Sequence, residues 1–275
     1  MTSLADRYPH ERDQHVTFDE ESHTYCIDGS SAGVISVTTL IHHHFPQFNA
    51  NDIIAKMKKG NQPHPKYGTM TADEIKKSWD DSGKIASGLG TKLHKKIESY
   101  YNGEEVENDS IEFGYFLAFD ETVMKRLTPY RTEWSIFHKD IKLAGQLDML
   151  YSIDDQPGKY ALYDWKRSKE IKLSNKFEKG LGQLSDMDNC NFSHYSLQLN
   201  IYKYILEMFY GLTIVEMVLV ILHPDNKTFL LFPVKKMTER VEYLFEHRRH
   251  EVEEAIRRHE VEEAMERQKV DEASK

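Results

Sequence analysis

The sequence predicts a mixed α/β fold, and three observations predict it. Three short β-rich runs, at 130–137, 141–152 and 159–166, follow one another with turn residues between them. Two further strands are expected at 214–222 and 228–234, after a helix running from Ser196 to Tyr210. Helical stretches flank this block, at 50–102 and from about Lys236 to the end.

Taken in order, Val16-Thr17-Phe18 and Thr24-Tyr25-Cys26-Ile27 flank polar turn residues, with Asp28-Gly29 beyond them, which suggests a β-hairpin. Ser36 to Ile41 opens a helix that Pro46 should end. A loop is expected around 60–68, where Pro63 and Pro65 fall. Gly88-Leu89-Gly90-Thr91 is expected to open a helix carrying Leu93, His94, Ile97, Glu98 and Tyr101. The texture changes after Thr128-Pro129. The turns Lys139-Asp140 and Asp154-Asp155-Gln156-Pro157-Gly158 then divide three strands into a meander. A long polar loop covers about 170–193, and His223-Pro224-Asp225-Asn226 joins the last two strands. The division expected is a hairpin and helical region at 1–88, a core at 89–235 and a charged helix at 236–275. In that helix Arg248-Arg249-His250-Glu251-Val252-Glu253-Glu254-Ala255 recurs nine residues later, from Arg257. Nine residues turn a helix by half a revolution, so the copies face opposite sides. A solvated helix is expected there.

Of the 275 residues, 39% are hydrophobic and 29% charged, the balance of a folded globular chain. The longest apolar run, Met217 to Leu222, is far too short to span a bilayer, and the first residues hold no signal-like apolar segment. Two cysteines, Cys26 and Cys190, exclude four-thiolate ligation of an iron–sulfur cluster within one chain. An intracellular setting follows as the expectation, cytoplasmic or nuclear, with an organelle or viral context open. The net charge of −9 conceals an asymmetry. Residues 56–98 hold ten lysines against five acids, and residues 238–275 hold twelve acids against eight basic residues. A local basic surface suits phosphate even on an acidic chain, although a lysine-rich stretch also serves as a plain solvated face.

Gly145-Gln146-Leu147-Asp148 and Asp164-Trp165-Lys166 carry the chemistry. Residues i and i+2 of a strand point the same way, so Asp164 and Lys166 share a face and Trp165 packs opposite. A hairpin between the two strands brings Asp148 toward that face. Two carboxylates with a lysine suit Mg²⁺ or Mn²⁺, and such an ion polarises phosphate and acidifies water. A salt bridge across a surface hairpin is the plainer alternative. Gln198 and Tyr202, like His94 and Glu98, are helical i, i+4 pairs. His42-His43-His44 is expected to be a surface helix end, since three consecutive residues cannot share one helical face.

In this order, Gly90-Thr91-Lys92-Leu93-His94 with Ile97-Glu98, Gly145-Gln146-Leu147-Asp148, Asp164-Trp165-Lys166 and Gln198 with Tyr202 resemble the motifs of the PD-(D/E)XK nuclease superfamily. The likeness is to its RecB-like exonuclease branch, in the cluster-free type that includes mitochondrial genome-maintenance exonucleases. It covers roughly half the chain. It implies a restriction-endonuclease-like mixed sheet flanked by helices and a metal-dependent deoxyribonuclease that leaves 5′-phosphates. It further implies that His94, Asp148, Asp164 and the Trp165 backbone carbonyl bind Mg²⁺ or Mn²⁺. Lys166 is catalytic on this likeness, Gln198 and Tyr202 shape the site and touch DNA, and Glu98 and Glu133 are further candidates. The N-terminal hairpin and helical region at 1–88 is expected to guide the DNA strand, by lysine–phosphate contact and aromatic stacking, and Lys92, Lys95 and Lys96 are expected to contact the DNA backbone. One departure is Asp164, where glutamate is commoner in this branch. A structure-specific endonuclease and a non-catalytic DNA-binding recombination partner remain as alternatives.

Overall fold

In the N-terminal region a one-turn helix, α1 (Leu4–Arg7), precedes a hairpin of β1 (Val16–Asp19) and β2 (Thr24–Ile27), paired from Val16↔Ile27 to Asp19↔Thr24. The protein is described from a computed structural model, over residues 2–59 and 64–273. After β3 (Ile35–Ser36), the Ser36 hydroxyl caps α2 (Val37–His43) by accepting from the Thr39 N–H at 3.0 Å. This helix stops short of Pro46, as expected. Next comes α3 (Ala50–Lys59). Of the loop expected around 60–68, residues 60–63 lie outside the described residues, and 65–69 form turns.

The helix expected to open at Gly88 starts sixteen residues earlier. It is one element, α4 (Ala72–Tyr101), of 30 residues. Thr71 and Glu74 form a reciprocal capping box, the backbone N–H of Thr71 donating to Glu74 Oε2 at 2.7 Å. Gly83, Gly88 and Gly90 lie inside the helix, each with open space where a Cβ would stand. Each weakens the helix by up to about 1 kcal/mol relative to alanine. Burial of Ile75, Leu93, Ile97 and Tyr101 offsets that cost. A further helix that no polar stripe marks, α5 (Ile111–Val123), follows, with Phe113, Phe116 and Phe119 all buried.

The sheet has six strands and is mixed, with helices on both faces. β4 (Leu127–His138), β5 (Leu143–Ile153) and β6 (Lys159–Lys166) form the expected antiparallel meander. After α6 (Asn191–Phe209), β7 (Thr213–Ile221) pairs parallel to β6, and β8 (Leu230–Pro233) pairs antiparallel at the edge. The crossover helix is what makes the parallel pairing possible. β3 adds a short parallel pairing to the start of β5. One sheet face packs Leu147, Leu150 and Leu162 against α2, α6 and the start of α7 (Thr238–Ala273). The other packs Met149, Tyr151, Tyr163 and Trp165 against α4 and α5.

The expectation of a solvated last helix holds only from Glu253. Val241, Leu244 and Phe245 lie in the core, and Val252 is buried. Arg248, 8% exposed, donates to the carbonyls of Ile141 at 3.1 Å and Gly33 at 2.6 Å. The triple-histidine expectation also needs correction. His42 and His43 are exposed, but His44 is 4% exposed, with its Nδ1 on the Leu40 carbonyl at 2.9 Å and its ring edge-on to His247. Among the described residues, no helix is long and apolar enough to cross a membrane.

His194, at the start of α6, offers a test of burial through pH. Its ring lies 4.2 Å from that of Phe45, and Nε2 donates to Asn189 Oδ1 at 2.9 Å. Burial, helped by the neighbouring His42, pushes its pKa down to about 4. Between that value and the ordinary histidine value of about 6.5, the unfolded chain takes up a proton that the folded chain refuses. Stability from this residue is therefore complete above that window and lost as pH falls through it. Between pH 7 and pH 5, His194→Gln should lose about 1–2 kcal/mol less stability than the wild type. Urea midpoints at the two pH values read the difference.

Candidate active site

Asp148 on β5 and Glu133 on β4 face each other because Thr132 pairs with Met149 and Trp134 with Leu147. The backbone is irregular here. Glu133 has a φ of +43°, left-handed for a residue with a side chain. Leu147 joins one apolar cluster and Met149 the other, so the side-chain alternation of β5 shifts at Asp148. Gln146 Nε2 donates to the Glu133 carbonyl at 3.0 Å and braces this conformation. Strain of this kind, of order 1–3 kcal/mol, is kept where the surroundings enforce it.

His94 reaches this pair from α4. Its Nε2 lies 3.0 Å from the Trp165 carbonyl, and its Nδ1 faces Glu133 Oε1 at 3.3 Å and Asp148 Oδ1 at 3.7 Å. The Trp165 N–H donates to Asp148 Oδ2 at 2.7 Å, which ties β6 to β5 beyond their last paired residues. The side chain of Trp165 turns away and packs on Phe116 and Phe119. Its neighbours Asp164 and Lys166 form an ion pair at 2.8 Å. Lys166 also donates to Gln198 Oε1 at 3.3 Å and lies 4.6 Å above the Tyr195 ring, and Gln198 Nε2 donates to the Tyr202 hydroxyl at 3.0 Å. Thus His94, Glu133, Asp148, Asp164, the Trp165 carbonyl, Lys166, Gln198 and Tyr202 occupy one connected site.

Charge in so buried a place is costly, and the titration behaviour reflects it. Burial disfavours the His94 imidazolium, but the Asp148 charge and the Glu133 contact outweigh it and push the pKa up to about 9. Burial raises the Asp164 pKa to about 7, against the pull of Lys166 and with the push of Asp148. Burial also raises Asp148, with His94 opposing and Glu133 adding to it. Lys166 is held above its ordinary value against burial by Asp164 and Asp148. Carboxylates crowded against their own repulsion are the electrostatic condition that a bound cation relieves.

The donor set fits a small hard cation. One nitrogen of His94 and one oxygen each of Glu133 and Asp148 lie within 4.8 Å of one another. Asp164 is 1% exposed, and its Oδ1 has no hydrogen-bond donor among the described residues. The His94, Glu133 and Asp148 cluster could hold a metal ion, and the buried Asp164 carboxylate is a further oxygen donor on the neighbouring strand.

The remaining expected contacts are placed differently. Lys95 pairs with Glu98 at 2.8 Å, Lys92 lies 3.5 Å from Asp109, and Lys96 pairs with Asp109 and donates to the Glu107 carbonyl at 3.1 Å. Lys92 and Lys95 remain exposed, whereas Lys96 is only 16% exposed and braces the loop before α5. Glu98 does not join the His94 cluster. It borders a cavity of about 270 Å³ with Arg131, Thr132 and Glu133. The sequence reading missed Tyr195 and Tyr25. Tyr195 precedes Gln198 by three residues on one helical face, a signal that was available. Tyr25, whose hydroxyl burial and the Glu133 and Asp148 charges raise in pKa, comes from the distant hairpin and gave none.

No family model matches the chain, and no curated protein matches it in sequence. Solved structures that align with it include SSO0001, at 14% identity and a TM-score of 0.32, over 80% of this chain and 76% of that one. Another is described as a "putative exonuclease" from Eubacterium rectale, at 11% identity and a TM-score of 0.37, over 82% of this chain and 80% of that one. Superposition this loose carries no argument about function.

Proposed function

We propose that this chain is a Mg²⁺- or Mn²⁺-dependent deoxyribonuclease, an exonuclease acting on single strands or ends and leaving 5′-phosphates. The observation that supports it is the cluster of His94, Glu133 and Asp148, whose ligand atoms lie within 4.8 Å of one another, tied through the Trp165 backbone to the strand that carries the buried Asp164–Lys166 pair. His94, Asp148, Asp164 and the Trp165 carbonyl hold the cation, and Glu133 adds a carboxylate beside them. When bound, the cation polarises the phosphate and lowers the pKa of its water. Lys166 orients the attacking water and offsets the negative charge that develops on the phosphoryl oxygens. Gln198 fixes the Lys166 ammonium, and Tyr202 fixes Gln198. The carboxylates alone repel a polyanion, and Lys166 with a bound divalent cation would neutralise them.

The test is incubation of purified protein with end-labelled linear and with circular single-stranded DNA, in Mg²⁺, Mn²⁺ or EDTA. Degradation of the linear strand with either metal, none in EDTA and sparing of the circle are expected. Cleavage that survives EDTA, or no cleavage with either metal, sinks the proposal; rapid cutting of the circle shifts it to an endonuclease.

Gly145 tests the Tyr202–Gln198–Lys166 relay. A Cβ at this position would stand 2.7 Å from Tyr202 Cε1 and 3.0 Å from Val37 Cγ2. Gly145→Ala should therefore displace Tyr202, cost roughly 1–3 kcal/mol by overpacking and reduce turnover. Urea unfolding and the cleavage rate at saturating DNA measure both. A variant as stable and as fast as the wild type would show that the relay tolerates movement.

A further inference from the structure

We propose that the chain just before α3, the turn at 65–69 and α4 bind single-stranded DNA by stacking its bases on Phe48 and Trp79, beside Tyr67, and this rests on the nuclease reading only for the strand's destination. These three rings come from separate places in the sequence and meet on one surface. Phe48 lies 5.6 Å from Trp79 and Tyr67 lies 5.9 Å from Trp79, both edge-to-face, and His64 stacks on Tyr67 at 5.0 Å. Phe48 is 70% exposed, whereas Tyr67 and Trp79 are half-buried, and the Tyr67 ring carries His64 and Lys66 against it. The buried apolar residues here are Ile54 of α3 and Ile75 of α4. Packing thus does not account for leaving a phenylalanine in water.

Charge points to the occupant. Lys56, Lys58 and Lys59 close α3 and Lys66 sits 5.1 Å above the Tyr67 ring, while Lys77 and Lys84 lie on α4 on the side turned away from Trp79. All six are exposed, and none has a carboxylate partner among the described residues. The three lysines nearer His94 each lie against an acid instead. An exposed ring and a half-buried indole, with Lys66 and the lysines that end α3 on the same segment, are the elements of a single-strand site, where rings take bases and cations take phosphates. A duplex offers only its phosphates here, because its bases are already stacked on one another. The surface therefore selects single strands, which must be led to a narrow site one nucleotide at a time.

The test uses Trp79 as its own reporter. Trp134 and Trp165 are 2% and 0% exposed, so quenching by a base reports Trp79. A 20-nucleotide oligothymidylate is titrated into the full chain in EDTA, in parallel with a 20-base-pair duplex. Quenching by the single strand and not by the duplex is expected. Phe48→Leu, which keeps an apolar side chain but no ring, should weaken single-strand binding about 5-fold or more, and Phe48→Tyr should retain it. Equal quenching by duplex, no quenching, or wild-type affinity in Phe48→Leu overturns the proposal. The same preparations are then assayed with Mn²⁺ on bis(p-nitrophenyl) phosphate, a diester with no strand to lead. Hydrolysis without quenching sinks the stacking surface alone, and quenching without hydrolysis of this diester or of DNA sinks the nuclease reading alone.

Discussion

Lys166→Ala and Asp164→Asn are each expected to slow DNA cleavage by at least about 10³-fold, equivalent to roughly 4 kcal/mol of transition-state stabilisation. The two substitutions act through different groups. Asparagine keeps the size of Asp164 but removes the charge that faces the cation, so Mn²⁺, expected to raise the melting temperature of the wild type, should no longer do so. Alanine at Lys166 leaves the ligands in place but strands the buried Asp164 carboxyl without its 2.8 Å partner. Such a carboxyl takes up a proton more readily, since burial already holds its pKa at about 7 against the pull of Lys166. Metal binding by Lys166→Ala should persist at alkaline pH while cleavage does not return. Melting curves with and without Mn²⁺, circular dichroism and single-turnover cleavage separate these effects. Near wild-type turnover in either correctly folded variant would remove the residue from the proposed chemistry.

What the sequence made legible follows from the range of each interaction. The meander was readable because β-rich runs and turn residues are local signals, and Ser36 and Pro46 bounded α2 by local capping and sterics. Asp164 and Lys166 share a face by the two-residue period of a strand, so their ion pair was legible as well. By contrast, α5 is apolar nearly all round, with phenylalanines and a glycine, and shows no polar stripe to mark a helix. The start of α4 was obscured by its internal glycines, although Thr71 and Glu74 carried the capping-box spacing.

Within the site, the unreadable part is the part made by register. Glu133 meets Asp148 only because β4 and β5 pair as they do, and no local pattern specifies a φ of +43°. His94 bonds to a carbonyl 71 residues away, a contact fixed by how α4 packs on the sheet. The lysines beside His94 read as a phosphate track because Asp109 is invisible at that spacing, whereas Glu98, three residues from Lys95, was a local clue to pairing. Charge counted along a sequence gives the sign of a region but not which cations are already neutralised.

Removing α7 from Glu253 onward is expected to leave stability within about 0.5 kcal/mol of the full chain, while removal from Arg248 onward should cost roughly 2–4 kcal/mol. The boundary between these outcomes falls within two turns of one helix. Beyond Val252 the described residues through Glu272 are exposed, and Ile256, Val261, Met265 and Val270 are among them. The nine-residue repeat scatters them around the helix, so no seam forms. Arg248 is different in kind. Its guanidinium is buried and donates to the carbonyls of Gly33, just before β3, and of Ile141, just before β5, so one side chain fastens the last helix to the start of two paired strands. Cutting before it leaves both carbonyls without a donor and uncovers the side of Val252 that packs inward. Arg248→Ala in the otherwise full chain should reproduce most of the loss, because the deleted donors and not the length of helix are responsible. Urea unfolding of the two truncations and the point variant measures this, and a truncation at Arg248 as stable as one at Glu253 would show that the guanidinium contacts contribute nothing net.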